Sequence, residues 1–65
     1  MAITVKQARV GANLTMREMA KKLGRHEQTY SKYEKHPEEM PIKMALRVSE
    51  ITGVPMDDLS FTNKL

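Results

Sequence analysis

The sequence predicts an all-α fold class, a compact domain of about five short helices that contains a helix-turn-helix. Two observations support this prediction. Apolar residues recur at three- and four-residue intervals in several stretches, which is the period of a helix with one buried face. Capping residues and glycines mark where these stretches begin and end. Because the chain has only 65 residues, we expect residues 1–65 to form a single domain with a small core.

The first helix is expected to begin after Thr4, whose hydroxyl can accept a hydrogen bond from a free amide of the first turn. Gly11 or Asn13 can end it. Arg9 lies on or beside the apolar face, where an arginine usually forms an ion pair or extends its charged end to water. The apolar face has helical spacing and consists of Val5, Ala8 and Ala12.

The second helix has stronger signals at both ends. Thr15 and Glu18 are spaced as a capping box, in which each residue satisfies a backbone amide of the other. Gly24 is expected to end the helix, since glycine enters the left-handed conformation without steric cost. The apolar positions between these signals are Met16, Met19, Ala20 and Leu23.

The third helix is expected at about residues 27–35, after a turn at Arg25 and His26. Tyr30 and Tyr33 are three residues apart and share its apolar face. Two short helices joined by a tight glycine turn predict a helix-turn-helix, whose second helix can enter the major groove of DNA. The opposite, polar face of the third helix comprises Glu27, Gln28, Ser31, Lys32 and Lys35.

The remainder of the chain predicts a loop and two further helices. Pro37 prevents the third helix from continuing, and Pro41 is suited to the first turn of a fourth helix. Gly53 ends the fourth helix, and a short fifth helix is expected from Pro55 to Leu59. The inward face of the fourth helix is expected to contain Met44, Ala45, Val48 and Ile51.

The composition excludes several classes of site. The chain has no cysteine, so thiolate metal ligands, disulfides and thiol nucleophiles are absent. His26 and His36 have no third ligand at suitable spacing for a metal. No nucleophile–base pair or phosphate-binding loop is visible, so we expect neither an enzyme nor a cofactor or small-molecule substrate. No apolar run has membrane-spanning length and no signal pattern is present, which predicts a cytoplasmic protein without membrane contact.

Positive charge is concentrated in the predicted helix-turn-helix. Residues 15–35 carry six basic and three acidic side chains, whereas residues 36–65 carry three basic and five acidic ones. This asymmetry suits a polyanionic partner, although a solvated surface is an equally reasonable interpretation of so mild a bias.

The order and spacing of these features resemble the Cro/repressor-type helix-turn-helix family, often called XRE-like. The resemblance extends from about residue 3 to residue 61. It implies a five-helix domain that binds operator DNA, usually as a dimer, and most often represses transcription. Members of this size are common among phage and mobile-element regulators. The matching segments are LTMREMAKKLG, Gln28-Thr29-Tyr30-Ser31, Tyr33-Glu34, Gly53-Val54 and Asp57-Asp58-Leu59.

The resemblance also implies roles for particular residues. Arg9 and Glu34 match a buried ion pair that joins the first helix to the third. The positions that read bases are matched by Glu27, Gln28 and Lys32. Glutamine suits adenine, lysine suits guanine and glutamate suits cytosine. Glu27 can equally serve as a helix-dipole partner, whereas for Gln28 and Lys32 a solvated surface is the less favoured alternative. The residues expected to contact phosphates are Arg17, Arg25, Lys35 and Lys43.

Two departures from the family pattern favour an alternative, a protein-binding module such as an antirepressor or antitoxin-like partner. Met16 stands where the family usually has a glutamine that contacts phosphate. The acidic residues Glu38 and Glu39 occupy a loop that is commonly glycine-rich and basic. In the leading interpretation the partner is double-stranded DNA bound by a homodimer. Its subunits are expected to meet through Leu59, Phe61 and Leu65.

Overall fold

Four α-helices and one pair of very short strands make up the computed structural model, which describes residues 2–62. Two single turns of 3-10 helix follow α3 and α4. The strands β1 and β2 are parallel and pair Ile3 with Leu59 and Thr4 with Ser60. The elements in chain order are β1 Ile3–Thr4, α1 Val5–Gly11, α2 Met16–Leu23, α3 Glu27–Lys35, a 3-10 turn Pro37–Glu39, α4 Ile42–Thr52, a second 3-10 turn Met56–Asp58 and β2 Leu59–Ser60.

The first two helices begin at matching capping boxes. The Thr4 hydroxyl accepts from the Gln7 amide at 3.1 Å, and the Gln7 side chain accepts from the Thr4 amide at 2.9 Å. Thr15 and Glu18 make the same pair of bonds at 3.1 and 2.9 Å. These bonds satisfy amides that a helix N-terminus otherwise leaves without partners.

The turn between α2 and α3 depends on Gly24, whose φ of 68° places it in the left-handed region. The Gly24 amide donates to the Lys21 carbonyl, and the Arg25 amide donates to the Ala20 carbonyl at 3.0 Å. This pair of bonds is a Schellman motif. It ends α2 sharply and allows α3 to begin after only three intervening residues.

The prediction of a fifth helix was wrong. Residues Met56–Asp58 form only one 3-10 turn, and Leu59 has an extended backbone with φ −82° and ψ 135°. Leu59 and Ser60 instead pair with β1. This pairing links segments more than 50 residues apart, so no local signal in the sequence could indicate it.

The core lies where α1, α2, α3 and α4 converge. Met19, Tyr30 and Val48 are fully buried at its centre, and Tyr33 is also buried. Leu59 is 8% exposed, so it packs inside its own subunit and is not available for the intersubunit contact that we expected. Leu65, the last residue of that predicted contact, lies outside the described residues.

The outer surface retains a few large apolar side chains. Ile42 and Leu46, one turn apart on α4, are 66% and 48% exposed, and Val10 is 55% exposed. Arg47 of the same helix donates to the Lys22 carbonyl at 3.1 Å, which ties α4 to the end of α2. Within residues 2–62 no helix combines the length and the apolar character needed to cross a bilayer.

Candidate nucleic-acid interface

The outward face of α3 is set by the two tyrosines on its inner face. Tyr30 is 0% exposed and Tyr33 is 9% exposed. Because residues three apart lie on one side of a helix, burial of this pair fixes the rotation of α3. The residues left exposed include all three predicted base readers, Glu27, Gln28 and Lys32, together with Lys35.

The N-terminus of α2 lies beside this face. One surface depression between the two helices is lined by Met16 from α2 and by four residues of α3: Glu27, Gln28, Ser31 and Lys35. Two of the predicted base readers and one predicted phosphate contact therefore share a single concave surface with Met16. The sequence placed Ser31 on the polar face of α3 and Met16 at a position that usually contacts phosphate in the family, but it did not predict that the two residues line one depression.

A second depression places two predicted phosphate contacts together. Arg17 of α2 and Arg25 of the turn line it with Glu27, and its remaining lining is Ala20, Lys21 and His26. Arg17 and Arg25 thus lie near the N-terminal end of α3, beside Glu27, whereas Lys35 is the last residue of α3 and shares the first depression with Met16. Lys43 belongs to a different element, the first turn of α4.

A carboxylate stands beside the predicted base reader Lys32. The Lys32 Nζ is 3.5 Å from the Glu39 Oε1, and the two side chains are 64% and 51% exposed. His36 Nδ1 is likewise 3.5 Å from Glu38 Oε2. The 3-10 turn after α3 therefore folds its acidic residues back towards the end of the helix. The sequence shows the two acids in this turn but contains no local signal for the partner of either one.

The same turn holds the one group of metal-ligand residues found among residues 2–62. Ligand atoms of His36, Glu38 and Glu39 lie within 4.8 Å of one another, and all three side chains are exposed. A divalent cation could be held there by one nitrogen and two oxygens. His26, the other histidine of the chain, is not part of this group, and the expectation that His36 lacks further ligands at suitable spacing did not take Glu38 and Glu39 into account.

An internal ion pair holds α3 against α1. Arg9 Nε donates to Glu34 Oε2 at 2.6 Å, and the two side chains are only 11% and 8% exposed. Arg9 Nη1 also donates to the Leu14 carbonyl at 2.8 Å. The hydrogen bond to Glu34 raises the pKa of Arg9 above its ordinary value. One guanidinium thereby connects α1, the turn before α2, and α3.

The Tyr30 hydroxyl lies beside this pair. Burial, followed by the effect of the Glu34 carboxylate, raises the pKa of Tyr30 well above its ordinary value. Within the described part of the chain the hydroxyl has no hydrogen-bond partner. Tyr30 therefore remains neutral and serves α3 mainly through the packing of its ring.

A comparison with protein families agrees with this arrangement. The model of a helix-turn-helix family matches residues 5–59, which include α1 to α4 and the turn that follows them. Comparison with curated proteins and with solved structures finds no match. The match covers more than half of the chain, and the matched range includes the Gly24 turn and the whole of α3. The chain belongs to the Cro/repressor-type, XRE-like helix-turn-helix family of DNA-binding transcriptional regulators.

Proposed function

We propose that this protein is a sequence-specific transcriptional repressor that inserts α3 into the major groove of operator DNA. The observation that carries the proposal is the exposed polar face of α3, with Arg17 and Arg25 near its N-terminal end and Lys35 at its C-terminal end. An α-helix with its side chains is about 10–12 Å in diameter, which fits a major groove about 12 Å wide, and α3 has nine residues that can lie in it. The repressing role in this proposal is what the resemblance to the Cro/repressor-type family implies.

Base recognition is assigned to three side chains of that face. Gln28 can donate to and accept from an adenine edge, Lys32 can donate to guanine acceptors, and Glu27 can accept from a cytosine amino group. All three are exposed, so each can meet a base without rearrangement of the core. Each good contact would discriminate between bases by about 1–3 kcal/mol.

Phosphate contacts are assigned to Arg17, Arg25, Lys35 and Lys43. The first two line the same depression on the α2 side, whereas Lys35 lies at the C-terminal end of α3. Contacts of this kind fix the register of a protein on DNA without reading its sequence. They account for most of the dependence of binding on salt.

A second candidate function, a protein-binding module of the same fold, is favoured by the acidic turn. Glu39 lies 3.5 Å from Lys32, so the lysine must exchange this carboxylate for a base before it can read DNA. Glu38 and Glu39 together would be repelled by a phosphate backbone. A partner protein with a basic surface would instead be attracted to these two carboxylates.

The test distinguishes residues that contact bases from residues that contact phosphates. Preferred duplexes are selected from a random pool, and binding to preferred and random duplexes is measured across a salt series. Gln28→Ala and Lys32→Ala should each lose about 1–3 kcal/mol on the preferred duplex and little on random DNA. Lys35→Ala should weaken binding to all sequences and lower the magnitude of the salt slope by about one unit.

The contrary results point to the second function. If no duplex is preferred, or if Gln28→Ala and Lys32→Ala leave the preference unchanged, α3 is not the reading element. Binding would then be measured to basic proteins instead, with Glu38→Gln and Glu39→Gln as the first variants.

A further inference from the structure

Met16 is an apolar side chain that lines the surface between α2 and α3 together with polar residues. It is partly buried and packs against the hydrophobic core. It also lines two adjoining depressions, and it shares both of them with Ser31 and Lys35. Gln28 lines one of the two and Lys6 the other. Among the described residues, Met16 is the only apolar one that lines either depression.

The chemistry of the surroundings limits what Met16 can contact. Lys6 and Lys35 supply cationic borders, as a phosphate backbone requires. Gln28 supplies the donor and acceptor that match an adenine edge. The apolar group that base pairs offer in the major groove is the C5-methyl group of thymine, and 5-methylcytosine carries a methyl at the same carbon.

We propose that Met16 reads the C5-methyl group of a pyrimidine, thymine in an ordinary operator. This inference rests on the proposed function. The unbranched thioether side chain of methionine adapts readily to a small apolar group. Because Met16 and Gln28 line the same depression, the methyl group belongs to the base pair that Gln28 reads or to the adjacent one. Met16 is therefore a specificity residue contributed by α2 rather than by α3.

Uracil tests the proposal directly, because it pairs as thymine does but lacks the methyl group. In the selected duplex each thymine is replaced by uracil, one position at a time. Wild-type protein should lose about threefold to fivefold in affinity at one position, the amount expected for one buried methyl group. The Met16→Gln variant should bind the thymine and uracil duplexes equally well at that position. The Met16→Leu variant should still bind the uracil duplex more weakly than the thymine duplex.

Two controls isolate the methyl contact. Gln28→Ala keeps Met16 and should still respond to uracil at that position. Thermal unfolding of each variant verifies that it is folded. In a further arm, the thymine–adenine pair is replaced by cytosine–guanine with or without a methyl group on cytosine. Restoration of affinity by that methyl group supports recognition of either methylated pyrimidine, and absence of restoration supports recognition of thymine alone.

The proposal is overturned if wild-type protein shows no uracil penalty at any thymine, or if Met16→Gln shows the same penalties as wild type. In either case a preferred duplex exists and the proposed function stands. If selection yields no preferred duplex, the proposed function fails and the role of Met16 fails with it.

Discussion

Arg9 is the residue whose removal should affect the most of the structure. Its guanidinium contacts Glu34 of α3 at 2.6 Å and the Leu14 carbonyl at 2.8 Å. Arg9→Ala should destabilise the protein by about 3 kcal/mol, because it leaves the largely buried Glu34 carboxylate without its main counter-charge. Chemical denaturation followed by circular dichroism measures this loss.

Two further variants test the reason for that loss. Arg9→Lys keeps the charge but lacks the planar arrangement of donors that meets two acceptors at once, so it should recover only part of the stability. Combining Arg9→Met with Glu34→Leu removes both charges and should be less damaging than Arg9→Ala. A loss below about 0.5 kcal/mol for Arg9→Ala would mean that the pair behaves as an exposed one.

Glu39 is a second residue for which we expect a specific effect, in this case on the affinity for DNA. Because its carboxylate lies 3.5 Å from Lys32, Glu39→Gln should release Lys32 for DNA and tighten specific binding by about twofold to fivefold, the range of an exposed ion pair. Glu38→Gln is the matched control, since it removes the same charge from the neighbouring residue, which pairs with His36. An equal increase in DNA affinity for the two variants would show a general effect of charge, with no specific role for the contact between Glu39 and Lys32.

At the scale of the element, the capping boxes of α1 and α2 differ in one chemical respect. The box of α1 ends in Gln7, which does not titrate, whereas that of α2 ends in Glu18. Hydrogen bonds from Thr15 lower the pKa of Glu18 below its ordinary value of 4.5. A carboxyl whose pKa is lower in the folded state stabilises the fold above its ordinary pKa, and this contribution disappears as the pH falls through the folded-state value.

Stability should therefore decrease on acidification, and Glu18→Gln should remove part of that decrease. The measurement is the free energy of unfolding between about pH 3 and pH 7, the interval that contains ordinary carboxyl pKa values. Gln7→Glu is the reciprocal variant and should make the decrease steeper. Thr15→Ala should cost about 1 kcal/mol at neutral pH. Parallel pH profiles for wild type and Glu18→Gln would contradict this account.

At the scale of the whole molecule, size limits how much DNA one copy can read. The described residues extend 28 Å along their longest axis. Two successive major-groove sites on one face of DNA lie about 34–36 Å apart. One copy therefore reads one half-site, and we expect an operator with two half-sites to bind a homodimer.

This expectation is tested by stoichiometry and spacing. Native mass spectrometry should find two copies on the full operator and one on a half-site. Inserting about 5 base pairs between the half-sites turns one of them to the opposite side of the DNA helix. The insertion should therefore abolish the additional affinity that the second half-site provides. One copy per operator and indifference to the insertion would contradict the dimer.

Local chemistry explains which features the sequence determined by itself. The Thr15–Glu18 spacing, the left-handed preference of Gly24 and the three-residue interval between Tyr30 and Tyr33 each act within one or two helical turns. Such signals are independent of the rest of the fold. They were therefore sufficient to predict where α2 and α3 lie and which face of α3 is exposed.

Features that depend on contacts between distant segments were decided only by the tertiary structure. Leu59 forms a strand instead of a fifth helix because Ile3 is available to pair with it. Lys32 faces Glu39 because the 3-10 turn folds back onto α3. The 25-residue separation of Arg9 and Glu34 likewise gives no local signal, and their pairing was anticipated only through the family resemblance. The position of Met16 beside α3 arises in the same way, since packing of α2 against α3 places it there and its own helical period predicted only an inward face.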